Sequence, residues 1–245
     1  MLTAFRADLH LHTCLSPCAE EEMNPLAIVR QAKKKGLDVI GICDHNSTRN
    51  VTSVRRAGQR EGLVVIGGVE VTTREEVHII GLFDRQESLE EMQRLIDANI
   101  HGQNNPELFG EQYLCDENGF IVGREMNLLI GATELSVEEV VEGIHGLDGL
   151  AIASHVDRER FSLISQLGFV PEGLKIDALE ISRLHSVSKA VDDFPQIMGY
   201  PLIQFSDAHR LEQIGVTPTM FSAASPSVAE LGKALVGEDG REVMN

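Results

Sequence analysis

The sequence predicts an α/β protein in which strands and helices alternate around a mostly parallel sheet, and three observations carry the prediction. Short runs such as Val39-Ile40-Gly41-Ile42-Cys43 and Leu63-Val64-Val65-Ile66 are almost continuously apolar, as strands covered on both faces are. Capped amphipathic segments lie between these runs. At 245 residues the chain is close to the roughly 250 of an eightfold βα barrel. A single domain over residues 1–245 with a large core is expected.

The first strand ends in Ala7-Asp8-Leu9-His10-Leu11-His12-Thr13. Residues i and i+2 of a strand share a face, so His10 and His12 can hold one cation while Leu9 and Leu11 pack the other way. Cys14 to Glu22 reads as a loop. A helix then starts with Asn24 as cap and Pro25 in its first turn, buries Leu26, Ile28, Val29 and Ala32, and stops at Gly36. The strand 37–43 breaks into Asp44-His45-Asn46-Ser47, Val51 to Glu61 forms a helix closed by Gly62, and the strand 63–70 ends in Glu70.

A fourth strand, Val77 to Phe83, starts only seven residues after Glu70, too near for a crossover helix, so strict alternation fails there. Ser88 to Ile100 reads as a helix. Residues 101–133 are polar and rich in Asn and Gly, with a hairpin turn at Asp116-Glu117-Asn118-Gly119. This small insertion is expected to overhang a cleft, because long irregular segments in compact domains often bind or cover ligands. Its alternative is packing on the outer helices or a dimer contact. Ser136-Val137-Glu138-Glu139 is a capping box opening a helix to about His145. Strand 150–154 ends at His155, a helical segment spans 161–168, strand 178–182 follows, and the last clear strand, 202–206, runs into Asp207-Ala208-His209-Arg210.

Composition limits the function. The formal charge is −17, from 21 Lys and Arg against 38 Asp and Glu, which repels nucleic acid backbones and anionic membranes. The expected partner is a small phosphorylated substrate, and extended nucleic acid is not expected. The four cysteines show no disulfide-scaffold spacing, and no stretch resembles a signal peptide or membrane helix. These features lead to the expectation of a cytoplasmic protein.

Seven strands are visible, and five finish in metal-capable residues: His10 and His12, Asp44 and His45, Glu70, His155, then Asp207 and His209. In βα barrels the carboxyl ends of the strands form one face, which carries the active site. Five such endings predict one cluster. His78 differs in lying near the start of its strand.

Through Asp8-Leu9-His10-Leu11-His12-Thr13, Asp44-His45, Gly68-Val69-Glu70, Val77-His78-Ile79-Ile80-Gly81-Leu82, Ala153-Ser154-His155 and Ser206-Asp207-Ala208-His209, the chain resembles the PHP family, named for polymerase and histidinol phosphatase. The resemblance implies a distorted, TIM-like seven-stranded βα barrel that holds two or three divalent metals and hydrolyses phosphoesters. Carried over by position, His10, His12, Glu70 and Asp207 would bind a first metal. Glu70 would bridge to a second, bound by His78 and His155, and His45 and His209 would bind a third. Cys18 stands where other members supply a further ligand. A thiolate there would favour Zn or Fe over Mg or Mn, although Mn stays among the expected ions. A free loop thiol is the alternative.

The expected chemistry is in-line attack on phosphorus by a hydroxide held between metals. Glu70 and Asp44 are the expected catalytic carboxylates, Asp44 from behind a ligand or the attacking water. Arg158, Arg183 and Arg210 are candidates to grip phosphate oxygens, each with a solvated surface role as the alternative; His185 is a candidate to line the cleft. The leading expectation is a phosphoesterase acting on a nucleotide or sugar phosphate. A 3′-end exonuclease of short oligonucleotides and a non-catalytic metal-binding scaffold are the other readings.

Overall fold

Apolar, β-branched runs at seven places in the chain form strands that pair into one sheet, and the helices between them cover its outside. The structure is a computed structural model and describes residues 1–244. In order, β1 (Thr3–Leu11), α1 (Pro25–Lys34), β2 (Val39–Ile42), α2 (Val51–Glu61) and β3 (Val64–Thr72) alternate, and β1, β2 and β3 pair in parallel. The helix ends follow the local signals. The Asn24 side chain accepts from the Ala27 N–H, and Gly62 closes α2 in the left-handed region, where a Cβ would be strained.

β4 (His78–Phe83) then runs antiparallel to β3, with Thr72 opposite His78. The reversal follows from a connection too short to cross the sheet. It also explains the odd place of His78, because the start of an antiparallel strand lies at the same end of the sheet as the finish of its neighbours. After α3 (Gln86–Asp97) come α4 (Pro106–Phe109) and a separate hairpin of β5 (Tyr113–Cys115) and β6 (Ile121–Arg124). The chain re-enters the sheet through α5 (Val137–Gly146), whose Ser136 and Glu139 form the expected capping box. β7 (Leu150–Ala153), α6 (Leu163–Leu167), β8 (Ala178–Ile181), α7 (Val187–Asp193) and β9 (Leu202–Gln204) follow.

The architecture is mixed α/β with a nearly closed, barrel-like sheet. It has nine strands, not the expected seven. The two extra ones are β10 (Thr219–Ala223), antiparallel to the start of β1, and β11 (Glu242–Met244), which extends β10 outward; α8 (Val228–Leu235) connects them. The seven expected strands still curl round on themselves, because Leu11 at the end of β1 bridges Ala208 just beyond β9. Asp8 helps to clip this seam, accepting from the Ser206 and Gly215 N–H groups at 3.0 and 2.7 Å. Burial pushes its carboxyl up to about 6 despite those bonds.

Two apolar clusters divide the core. One, with Leu9, Ile66, Ile80, Leu82, Ile152 and Ile203, fills the inside of the sheet together with Val228, Leu231 and Ala234 of α8. The other lies between the sheet and the helices α1, α2, α3 and α5. The α8 N-terminus sits on Asp84, just after β4, so α8 closes the barrel end opposite the strand finishes that carry the histidines. A bulge between Asp8 and Leu11 of β1 switches Leu9 to the inner cluster and Leu11 to the outer one, and bulges of this kind re-aim side chains. No helix of the described residues is long and apolar enough to cross a membrane.

The segment 101–133 packs on α2 and along the sheet's edge at the finishes of β2 and β3, where Asn46 donates to the Leu129 and Gly131 carbonyls and the Thr133 N–H to Thr72 O. Asn50 at the head of α2 bonds Tyr113 O and Cys115 N, and Arg60 pairs with Glu117. Several of its polar residues are engaged within the segment: Asn104 donates to Gly110 O, Gln112 to the carbonyls of Glu125 and Asn127, and Glu111 pairs with Arg124. Their chemistry stabilises an irregular backbone whose N–H and C=O groups have no ladder partners.

β1 and β2 approach so closely at Gly41 that a Cβ there would meet Leu9 O and lie 2.7 Å from Leu9 Cα. Backbone cannot give way as a side-chain tip can. Gly41→Ala is therefore expected to cost about 1–3 kcal/mol or more, read as a lower urea midpoint; an unchanged midpoint would contradict the strand spacing.

Candidate metal centre

Glu70, on the inward face of β3, is 1% exposed, and its carboxylate is ringed by imidazoles from four segments. One oxygen lies 3.4 Å from His10 Nε2, 3.1 Å from His78 Nδ1 and 3.3 Å from His155 Nε2. The other lies 3.4 Å from His12 Nε2 and 3.0 Å from His45 Nδ1. Asp207, at the end of β9, brings Oδ1 to 3.3 Å from His10 Nε2 and 3.1 Å from His12 Nε2. The His209 ring stacks on His12 with centroids 4.1 Å apart.

Three groups of donor atoms close enough for one ion emerge: His10, His12, Glu70 and Asp207; His45, Glu70 and His78; and His12, His45 and His209. The first is the set expected for the first metal. The other two depart from the expected sets, because His45 reaches Glu70 and so stands between the second and third groups. His155 adjoins the second through Glu70. Cys18 belongs to no group, but it lines the cleft together with His45 and His209. Burial pushes that thiol up, yet interaction with these two imidazoles, His45 foremost, outweighs it and holds it at about 5.

The side chains fit divalent cations on an observation that needs no ion to be seen. Both oxygens of Glu70, Oδ1 of Asp207 and Nδ1 of His45 and His78 are buried without a hydrogen bond, although buried polar atoms are normally paired. The Nε2 atoms of His10 and His12 face each other at 3.2 Å, and their other ring nitrogens are already engaged. His10 Nδ1 lies 3.0 Å from each oxygen of Glu180. His12 Nδ1 contacts Ser16 Oγ at 2.9 Å, and Ser16 donates to Asp44 at 2.7 Å. Tying down Nδ1 is how proteins aim a histidine's Nε2 at a metal. Burial works against charge on His10, yet Glu180, Glu70 and Asp207 raise its pKa well above its ordinary value. Burial, helped by the neighbouring His45 and His155 charges, outweighs Glu70 and pushes His78 down to about 4.

Glu180 was not among the sequence candidates. It is fully buried in the four-residue strand β8, where it also accepts from the His155 N–H at 3.0 Å. An acid inside a strand covered on both faces was the available signal. Asp44, expected to be catalytic, lies behind the cluster: its oxygens accept from Thr13 N, Thr13 Oγ1 and Ser16 Oγ, all at 2.7 Å. It reaches His12 only through Ser16.

The cluster floors a cleft of about 840 Å³ whose walls include Ile130, Arg158, Arg160, Phe161, Leu184 and His185. Arg158 pairs with Asp207 at 2.7 Å and, with Arg183, lines an adjoining cavity of about 320 Å³. Arg183 also donates to Ser206 O. Arg210 lines neither cavity; it is exposed and pairs with Glu20 at 3.3 Å, so it cannot reach a phosphate at the cluster. Of the segment 101–133, only Ile130 is among the described residues lining the cleft. Asn46, His155, Phe161 and Asp207 all hold positive φ, of 48°, 30°, 58° and 48°, strain that in proteins clusters at functional sites.

Comparison with known proteins places this geometry. The PHP domain family model matches residues 8–164, more than half of the chain. The lesion-specific endonuclease Q of Pyrococcus furiosus superposes with a TM-score of 0.75 at 22% identity, over 99% of this chain and 58% of that one. Endonuclease Q in complex with a 27-mer duplex carrying an abasic lesion superposes with a TM-score of 0.73 at 20% identity, over 99% of this chain and 59% of that one. At such identities the likeness is one of fold. A 5′-3′ exoribonuclease of Haemophilus influenzae is 33% identical over 82 residues, 32% of this chain and 29% of its own length. A phosphoribosyl 1,2-cyclic phosphate 1,2-diphosphodiesterase of Eggerthella lenta is 31% identical over 80 residues, 31% of this chain and 29% of its own length. The matches therefore cover well under two thirds of these relatives.

The endonuclease complex overturns the expectation that extended nucleic acid is excluded, since a fold superposing on nearly all of this chain holds duplex DNA. Net charge is a sum over the whole surface, whereas a phosphate would meet the local field, to which Arg158, Arg160 and Arg183 beside the cluster contribute. Strand order, the ring of donors around Glu70 and the matched span lead to one assignment: the chain belongs to the PHP domain family.

Proposed function

We propose that this chain is a metal-dependent hydrolase of phosphoester bonds, and that a nucleotide-like or sugar-phosphate-like monoester or diester is its substrate. The observation that carries the reading is the Glu70 carboxylate, buried among five imidazoles with neither oxygen hydrogen-bonded, on the floor of an open cleft. Two or three divalent ions would be held by His10, His12, Glu70 and Asp207; by Glu70, His78 and His155 with His45; and by His45 and His209 with His12 or Cys18. When bound, such ions supply Lewis acidity toward phosphoryl oxygens and make water acidic enough to attack phosphorus near neutral pH.

The remaining work falls to side chains. Glu70 would offer one oxygen to the His10, His78 and His155 side and the other to the His12 and His45 side, and Asp207 turns Oδ1 to the cluster while its Oδ2 holds Arg158. That pairing points a guanidinium at the place where phosphate oxygens would sit, and Arg183 extends the grip into the adjoining cavity. Phe161, stacked on His78 at 4.7 Å, and Leu184 give one wall an apolar surface suited to the non-phosphate part of the substrate. A nuclease is the second reading, supported by the superposition on endonuclease Q over 99% of this chain.

The test is hydrolysis by the metal-loaded protein of a panel of phosphomonoesters, phosphodiesters and oligonucleotides, with Glu70→Gln and Asp207→Asn as controls. Both variants should stay folded, lose bound metal by elemental analysis and lose turnover by orders of magnitude. Wild-type metal content and turnover in both would sink the assignment.

Glu180→Gln keeps the shape of the side chain but weakens its hold on His10. It is expected to lower metal affinity about 10- to 100-fold, measured by chelator competition; an unchanged affinity would make Glu180 a packing residue only.

Cys18→Ser is expected to lower bound Zn or Fe and to sensitise turnover to chelators. Cys14→Ser and Cys43→Ser should do neither. Equal metal in all three variants would leave Cys18 a loop thiol.

A further inference from the structure

The cleft holds one imidazole that the cluster does not use. Among the described residues lining it, His45, His78, His155 and His209 surround Glu70 or one another, whereas His185 contacts neither Glu70 nor those rings and pairs with Asp157 instead. Its Nδ1 lies 2.7 Å from Asp157 Oδ2. Asp157 is fully buried, and its other contacts fix it in place: Ser182 N and Ser182 Oγ donate to it at 2.7 Å each. The His185 backbone is held as well, because Gln204 Nε2 donates to its carbonyl at 2.9 Å. The carboxylate thus selects the Nδ1–H tautomer, and Nε2, which makes no hydrogen bond among the described residues, is left for the cleft.

We propose that His185, seated on Asp157, is the general acid that protonates the leaving oxygen. The assignment rests on the phosphoester reading above. As water adds its oxygen to phosphorus, the bond from phosphorus to the leaving oxygen breaks and its electron pair stays on that oxygen. The Nε2 proton of the imidazolium moves to the same oxygen, giving a neutral alcohol. Asp157 keeps its bond to Nδ1–H throughout, the attacking water loses its proton to solvent, and solvent returns one to Nε2. The sum is ester plus water giving alcohol plus phosphate.

The other groups on the cleft wall are poorly suited to this step. The guanidiniums of Arg158 and Arg160 do not release protons near neutral pH, the Asp157 carboxylate is taken up by Ser182 and His185, and Glu159 is exposed with no partner among the described residues to orient it. An imidazole exchanges its proton in the neutral range. The chain also places the dyad economically: the turn after β7 presents His155 to the cluster and Asp157, two residues on, to His185, while the turn after β8 supplies both Ser182 and His185.

An alkoxide leaves poorly without a proton and a nitrophenolate leaves readily, so leaving-group dependence reads this role directly. With the metal-loaded protein, His185→Gln should retain wild-type metal content. Its loss in kcat/KM should be about 10²- to 10⁴-fold greater for an alkyl phosphate than for p-nitrophenyl phosphate. Asp157→Asn should steepen the same dependence less strongly. In His185→Gly, added imidazole should restore alkyl phosphate turnover. Equal losses on both esters, or no rescue with metal and fold intact, would make His185 a binding or structural residue and overturn the proposal. If the wild-type protein cleaves neither ester nor any substrate of the wider panel, the phosphoesterase reading itself falls, and this assignment with it.

Discussion

Glu70 sets the constraint on which the rest of the structure depends. A carboxylate taken out of water must be compensated by positive charge and directed donors, and this one, 1% exposed, has only imidazoles around it. Five of them within 3.4 Å cannot be delivered by one local segment. They have to come from the ends of strands that are far apart in sequence, which requires a sheet curved enough for those ends to converge. Curvature in turn requires the seam between β1 and β9, and that seam is held by the Leu11–Ala208 bridge and Asp8. The reversal of β4 belongs to the same requirement, since a parallel β4 would carry His78 to the wrong end of the barrel.

Around this centre lies a second ring that neither touches the ions' positions nor reaches solvent. Glu180 fixes His10 and the His155 backbone, while Asp44 and Ser16 fix His12. Without these bonds each imidazole could turn about its side-chain torsions, and the loss would fall on metal affinity rather than on folding. Positive φ at His155 and Asp207 costs roughly 1–3 kcal/mol each. The surrounding contacts offset it: the His155 N–H is held by Glu180, and the Asp207 carboxylate by Arg158 and two imidazoles. Rigidity of this kind suits a centre that must keep like-charged ions apart.

Much of this was legible in the sequence, for physical reasons that can be named residue by residue. Strands such as 39–42 and 64–72 are buried on both faces, so they read as unbroken apolar runs, and a metal-capable residue just past such a run stands out. Asn24, Gly62 and the Ser136–Glu139 box mark helix ends through local hydrogen bonds that local sequence can encode. β10 and β11 were missed because Thr219-Met220-Phe221-Ser222-Ala223 is short, follows a proline and alternates weakly, and because Glu242–Met244 becomes a strand only by pairing with β10. Glu180, Ser16 and Asp157 were missed for a related reason. Their partners lie 170, 4 and 28 residues away, and only the fold brings most of those groups together. Arg210 failed in the opposite sense, since adjacency to Asp207 and His209 in sequence says nothing about which way a long side chain leaves a turn.

The acidity of the chain misled for a reason that also bears on mechanism. Of its 38 acidic residues, only Glu70 and Asp207 reach the cluster, with Glu180 behind them. Most of the negative charge is therefore spread over a solvated surface, where it is screened within about 10 Å at ordinary salt. On the proposed reading, a phosphate arriving at the cleft would respond instead to Arg158 and Arg183, which line it and its adjoining cavity, and to any cations held by the imidazoles. Surface charge of this kind governs how fast a polyanion approaches and how steeply that rate depends on salt. On the proposed reading, which phosphoester is cut would be decided inside, where Arg158, the apolar wall of Phe161 and Leu184, and the strand-end donors line the same cleft.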